Sequence, residues 1–561
     1  MPAVLRRNSR AAFALATPFA FVCAVAPPRR GNVFAVNQHP RSSWAVRPAF
    51  CATVVTVALA AAAAAGTWSF KPTPAEQRAI ASISADSLKA HLAFLSSNPL
   101  QGRGAGTLGL DVAAEYIASH FRRAGLKPVG DDGYFQTTPR VRLSPNPDGY
   151  RCAIESGDMT IEVAPSQFAL SAGLAASGNA IRETHVENLS IVKVPIAGPV
   201  PEGIGDAAGR VIVTDLPPVP TGREQEMAYV IAVDANMRRV WGALKPAGYL
   251  FVRRDTNATG YFSATSLVDP AERGRQVATA PSVVVAGTVV ARWFDTLPTG
   301  ETGATLSVDL GAPLETPAPQ RNVIGVLPGS DPKLAETYVL VTAHYDGQGR
   351  PPTPGWNSAN DNGSGTVSII EMANALASLK PRPKRSIAFI TFHGEESGLV
   401  GSRYYAEHPV LPLEETVADI NIEMVGRTDD VEGDQHKRAS VTGFDYSDVG
   451  EILRVAGAAN GITVFKHDKN SDAYFGRSDN QALATLGVPA HTICGTFRYP
   501  DYHGVADTWD KIEYDNMAMT VRTIASGLLM IANSPVEPQW NPAVARASRY
   551  LEAWKKLHGR Q

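Results

Sequence analysis

Cysteine is scarce, at four in 561 residues, too few for a disulfide-built scaffold or a multi-cysteine zinc ribbon. An excess of charge of one sign is missing too. Lys+Arg number 52 against 54 Asp+Glu, and the net charge of -2 gives no chain-wide attraction to nucleic acid or anionic membrane. There is no G-x-S-x-G elbow and no H-E-x-x-H, so neither a serine hydrolase nor a helix-borne single-zinc protease has support. Internal repeats are absent. What is present is 44% hydrophobic and 19% charged, enough apolar material for buried cores and incompatible with general disorder.

Two apolar runs lie in the first 70 residues. Residues 11–27 follow Arg6, Arg7 and Arg10 and are broken by Pro18. Residues 49–66 follow Arg47, carry no charge and end in the alanines 61–65. A basic flank, an apolar stretch and small residues at its end read as a secretory signal peptide. Residues 1–70 are therefore assigned to a leader, and the protein is expected in the periplasm or secreted. An uncleaved anchor is the alternative, because about 18 apolar residues just span a bilayer. Cys23 and Cys51 fall in the leader. Cys152 and Cys494 are 342 residues apart, and no bond is assigned between them.

Leu88, Leu92 and Leu95 share one face of a helix expected over 86–95. Leu110, Ala114, Ile117 and Phe121 do the same for a second helix, ending at Gly125 as a left-handed cap. Gly104, Gly106 and Gly109 formally fit G-x-G-x-x-G, but the segment follows a helix and loop instead of a strand, so dinucleotide binding is not expected. Over 151–312, β-like runs at 211–214, 249–252 and 282–285 lie between Pro- and Gly-rich connections and suggest a compact, mainly β insertion. Residues 144–147 and 313–319 read as its linkers.

Beyond Gln320, strand-like runs at 323–327, 338–342, 386–391, 417–424 and 491–494 alternate with helical stretches at 363–379, 400–407, 449–460 and 516–533. The fold class read from this is α/β: a doubly wound, mostly parallel sheet with helices on both faces, plus the β insertion. Residues 71–150 and 313–538 are assigned to this main domain. Residues 539–561 are set apart as a C-terminal helix with Tyr550, Leu551, Trp554 and Leu557 on its apolar side.

In such sheets functional residues gather beyond the carboxyl ends of the strands. His344 and Asp346 follow the strand at 338–342. Asn360 to Gly365 open the next helix, His393 to Glu396 follow the strand at 386–391, Glu423 stands near the end of 417–424, and Tyr502 and His503 come after 491–494. Imidazole and carboxylate are the donors that zinc accepts when no thiolate is present. Two ions about 3.5–4 Å apart would need one carboxylate between them. The adjacent Glu395 and Glu396 permit a division of labour, one coordinating while the other moves a proton.

These segments, Ala343-His344-Tyr345-Asp346, Asn360-Asp361-Asn362-Gly363-Ser364-Gly365, His393-Gly394-Glu395-Glu396 and Tyr502-His503 with Ala506-Asp507-Thr508, resemble the zinc-dependent M28 peptidases, the co-catalytic aminopeptidase and glutamate-carboxypeptidase group. The resemblance covers roughly 86–135 and 320–533. It implies two Zn2+ ions, with other divalent metals possible, and a peptide substrate. Asp361 would bridge the ions, Glu396 and His503 would complete one, and His344 and Glu423 the other. It also implies Glu395 as general base, Tyr502 as an oxyanion donor, Asp346 as the partner orienting His344, and a cis Asp361–Asn362 peptide. Asp507 is expected to fix the loop holding His503. Glu423 is a departure, since the family usually has Asp there; the longer arm needs a backbone shift or a different denticity.

The insertion resembles a protease-associated domain in placement and texture. Aminopeptidase is the leading activity. A carboxypeptidase or dipeptidase is the first alternative, with Arg427 and Arg477 as the cations for a substrate carboxylate. A glutaminyl cyclase needs a single zinc, and a metal-free, transferrin-receptor-like binding protein would have lost several of these side chains. The sequence leaves oligomeric state open.

Overall fold

The computed structural model describes residues 68–170, 181–196, 200, 202, 204, 207–216, 223–254, 265–272, 282–349 and 356–560. The expected leader lies outside them up to residue 67. Among the described residues no helix is long and apolar enough to cross a membrane. The chain divides into two compact units. Among the described residues, one comprises those within Arg140–Ala318, and the other joins residues 68–139 with those from Pro319 onward.

The second of these units carries the site. Its longer helices are α1 (Pro74–Ala81), α2 (Ala85–Leu95), α3 (Leu108–Ala124), α4 (Ser364–Ala377), α5 (Val400–Glu407), α6 (Asp448–Asn460), α7 (Asn480–Thr485), α8 (Tyr514–Asn533) and α9 (Ser548–Leu557). The strands of its main sheet are β1 (Lys127–Pro128), β2 (Phe135–Thr138), β3 (Gln320–Leu327), β4 (Tyr338–His344), β5 (Ser386–Phe392), β6 (Thr416–Glu423), β7 (Arg438–Val441), β8 (Thr463–Phe465) and β9 (Ala490–Cys494). They form one sheet in the order β1-β3-β5-β4-β6-β9-β7-β8, with β2 also paired to β3. The central strands β5, β4, β6 and β9 are parallel. The flanks differ from a purely parallel reading, because β3 meets β5 and β7 meets β9 antiparallel.

Alternation along the strands explains the layering. Val339, Val341, Ile387 and Phe389 join a core with Leu92, Phe121, Ile369 and Leu528 from α2, α3, α4 and α8. Their neighbours Leu340, Ala388 and Ile390 join a second core with Tyr405, Leu483 and Tyr550 from α5, α7 and α9. Both faces are covered, so the central strands read as unbroken apolar runs. Local signals set the ends of the helices. Thr107 accepts the Leu110 N–H at the start of α3, and Gly125 ends it at φ 73°, a conformation that glycine adopts without steric penalty.

In the Arg140–Ala318 unit an eight-stranded sheet runs from Met159–Glu162 at one edge to Phe168–Leu170 at the other. Two helices, Arg223–Leu244 and Thr288–Thr296, were not part of the mainly β expectation. Met237, Val240 and Leu244 of the first recur at helical spacing in its buried core. Of the flanks expected to be linkers, residues 145–147 lie outside any strand, whereas the second flank is paired. Leu314–Pro317 lies antiparallel to Val141–Ser144, because alternating Val141 and Leu143 bury their side chains.

Candidate metal centre

The chain leaves β4 for β5 on one side and returns to β6 on the other, so a switch point opens beside the carboxyl end of β4. His344 is the last residue of β4 and Glu423 the last of β6. Glu395 and Glu396 follow β5 directly.

The loop into α4 is held by its own side chains. Asn362 Nδ2 donates to the Ile422 carbonyl at 2.7 Å, and its Oδ1 accepts the N–H of Gly365 at 3.0 Å and of Met424 at 3.3 Å. Asn360 Oδ1 accepts the Gly426 N–H, and Ser364 Oγ accepts that of Val425. Thr366 Oγ1 donates to the His344 carbonyl. Position 365 admits only glycine, since a Cβ would lie 2.5 Å from Asn362 Oδ1 and 2.7 Å from the Ile422 carbonyl. These bonds lash the loop to the ends of β4 and β6 and leave Asp361 aimed into the switch point. The Asp361–Asn362 peptide is cis.

Two groups of donors result, sharing one carboxylate: His344, Asp361 and Glu423, and Asp361, Glu396 and His503, with the ligand atoms of each within 4.8 Å of one another. His344 Nε2 lies 3.5 Å from Asp361 Oδ1 and 3.3 Å from Glu423 Oε1. His503 Nε2 lies 3.0 Å from Asp361 Oδ2 and 3.4 Å from Glu396 Oε2. Glu395 belongs to neither group, its Oε2 standing 3.9 Å from His344 Nε2. All five sequence-expected ligand residues thus converge.

The supporting contacts are specific. Asp346 Oδ1 sits 3.4 Å from His344 Nδ1 and also accepts the Glu395 N–H, while Oδ2 accepts that of Glu396. One carboxylate therefore orients both a ring and the turn after β5. Asp507 ties the loop that holds His503, through Tyr499 and the Gly504 carbonyl, to the loop that holds Asp361. It accepts the N–H groups of Asn360 and Asp361 and the Tyr499 hydroxyl, because its own backbone packs against Ala359. Ser478 and Gln348 carried no sequence signal. Ser478 Oγ donates to Glu423 Oε1 at 2.6 Å, and the Gln348 amide donates to Glu396 Oε2.

Electrostatics matches this crowding. Burial would raise the Asp361 carboxyl, but the imidazoles of His344 and His503 beside it outweigh that and hold it below the usual range. Burial, then the charge of Asp361, pushes Glu396 up to about 8. Glu395 is raised well above a normal glutamate by burial and, against the pull of His344, by Glu423 and Glu396. Burial would depress His344, but Glu423 and Glu395 raise it. Tyr502 stacks on His503 at 3.9 Å, and burial plus the surrounding carboxylates keep its phenol protonated, hence a donor.

Four carboxylates around two imidazoles are costly to bury without compensating cations. His344 Nε2 and Glu396 Oε1 are buried without a hydrogen-bond partner. The donor set, two histidines and three carboxylates, is that of a zinc-type centre, so the residues fit a pair of divalent ions.

The sequence model of Peptidase family M28 matches residues 322–528. Aminopeptidase YwaD of Bacillus subtilis (strain 168) is 43% identical over 107 residues, 19% of this chain and 22% of the relative. Aminopeptidase NAALADL1 of Mus musculus is 27% identical over 253 residues, 38% of this chain and 32% of the relative. The chain thus spans less than a third of the length of either. A solved aminopeptidase from Aneurinibacillus sp. strain AM-1 aligns over 84% of this chain and 98% of its own, at 19% identity and a TM-score of 0.49. The segment similar to peptidase family M28 runs from within β3 into α8, and it contains all five of the converging donors, His344, Asp361, Glu396, Glu423 and His503.

Proposed function

We propose that the protein is an exported di-zinc aminopeptidase that hydrolyses N-terminal peptide bonds. The observation that supports it most directly is the pair of donor groups sharing Asp361, with a buried, unpartnered nitrogen on one side and a carboxylate oxygen on the other. His344, Asp361 and Glu423 would hold one ion, and Asp361, Glu396 and His503 the second. When bound, such ions polarise the scissile carbonyl and lower the pKa of water to near neutrality.

The chain's own residues supply the rest. Glu395 lies outside both donor groups, so its carboxylate is free to take the proton from the attacking water and deliver it to the leaving amine. The protonated Tyr502 phenol donates to the developing oxyanion. Asp346 fixes the His344 ring, and through the N–H groups of Glu395 and Glu396 it sets the base against its neighbour. Export is the function of the proposed leader.

A carboxypeptidase would need a free cation for the substrate carboxylate. Arg427 is engaged by Asp429 and Asp501, and Arg477 lies over the Tyr474 ring, so neither supports that reading. A panel of free and blocked peptides tests the assignment. Free amino termini are expected to be cleaved, and equal cleavage of blocked ones would refute it. Glu395→Gln is expected to retain zinc while turnover falls by roughly 10²–10⁴-fold.

A further inference from the structure

The Gly-rich turn before α3 has no part in the chemistry above, yet it carries an unusual arrangement. Gln101, Gly102 and Arg103 are consecutive left-handed residues, at φ 50°, 64° and 54°. Non-glycine residues in that region are sterically disfavoured and normally occur singly. A run of this kind persists where surrounding contacts over-determine it, and it concentrates at functional sites.

The contacts here converge on Arg103, which is fully buried. Its Nε donates to the Tyr345 carbonyl at 2.7 Å, one amino nitrogen to Leu95 at 2.6 Å and Asn357 at 3.0 Å, and the other to Ser358 at 2.7 Å. Every bond is to backbone oxygen. Tyr345 stands between His344 and Asp346, and Ser358 stands three residues before Asp361. One rigid, planar fork therefore spans the two segments that deliver His344 and the shared carboxylate. The turn itself is pressed against the same segments. A Cβ on Gly102 would lie 2.4 Å from the Trp356 carbonyl, and one on Gly104 would lie 2.1 Å from that of Gly349. Burial lowers the guanidinium to about 10, and Asp346, Asp507, Asp361 and Glu396 favour its charged form, so all its donors are present at neutral pH.

We infer that Arg103 is a positioning residue for the metal centre: its fork sets the separation of the His344 and Asp361 segments, and with it the grip on the ions. The inference rests on the two-ion reading. It assigns Arg103 no contact with substrate.

The test compares the full chain with Arg103→Lys, which keeps the charge and loses the fork, and with Gly104→Ala, which keeps the arginine and displaces its turn. Zinc affinity is read by chelator competition, and melting temperature is read with and without zinc. Arg103→Lys is expected to bind zinc at least about 10-fold more weakly and to gain less melting temperature from zinc than the parent does. Gly104→Ala should reproduce both effects, and it decides the matter if the lysine variant does not fold. A variant that melts earlier without zinc but holds zinc as tightly as the parent would make Arg103 merely structural and overturn the inference. Failure of the parent chain to take up zinc would instead remove the two-ion reading, and the inference with it, before any variant is compared.

Discussion

The two donor groups differ in what holds them. His344, Asp361 and Glu423 are buried throughout, whereas beside the same Asp361 the residues Glu396 and His503 are partly exposed. His344 is 1% exposed at its side chain and His503 is 23% exposed. The first group stands on the last residues of β4 and β6, central strands of the sheet. The second stands on the turn after β5 and on the loop before α8, where His503 adopts φ 51°. Donors on strand ends are fixed before any ion arrives, while loop-borne donors lose conformational freedom when one binds. On the two-ion proposal, one carboxylate would serve two sites of unequal preorganisation, and the buried group would hold its ion more tightly.

The largest effect should come from removing what the groups share. Asp361→Ala is expected to lose both ions and to lower turnover at least ~1,000-fold, checked by metal analysis alongside peptide hydrolysis. A variant that kept one ion would mean the groups are independent.

Next come the unshared histidines, which should break the symmetry between the sites. His503→Ala is expected to retain one ion and His344→Ala to retain neither tightly, because the donors left after His344→Ala are the loop-borne ones, which lose more freedom on binding. Metal content after dialysis measures this, and equal retention in the two variants would contradict the ranking. The smallest effect should lie at Ser478, whose hydroxyl reaches the Glu423 oxygen that faces His344. Ser478→Ala is expected to weaken the buried ion about 10-fold and to leave the other within about 2-fold, as read by chelator competition. Loss at the exposed site instead would show that Glu423 is held otherwise.

Much of this was legible in the chain. The strands at 386–391 and 417–424 and the helices at 400–407 and 449–460 stood out because both faces of the central sheet are covered and its helices are amphipathic. The donors stood out because each lies at a strand end or in a loop beyond one, within segments that resemble peptidase family M28. The antiparallel additions β7 and β8 did not, since strands of three or four residues carry too little alternation to be told from loops. Ser478 sits beside a short helix and Gln348 within a loop, and neither spacing announces its partner. Arg103 is the clearest case. Its glycine-rich setting is visible, but three of its four carbonyl partners lie 242 to 255 residues away, and no local pattern encodes a bond to a backbone oxygen. Glu423 was visible as a departure in length, while the Ser478 hydroxyl that receives the longer arm was not.

The most direct measurement is a zinc titration of the intact protein against a chelator of known affinity, with stoichiometry read on the same sample. Two ions per chain are predicted, with dissociation constants separated by about 10-fold or more. A single ion, none, or two of equal affinity would contradict the account of a buried and an exposed site joined through Asp361.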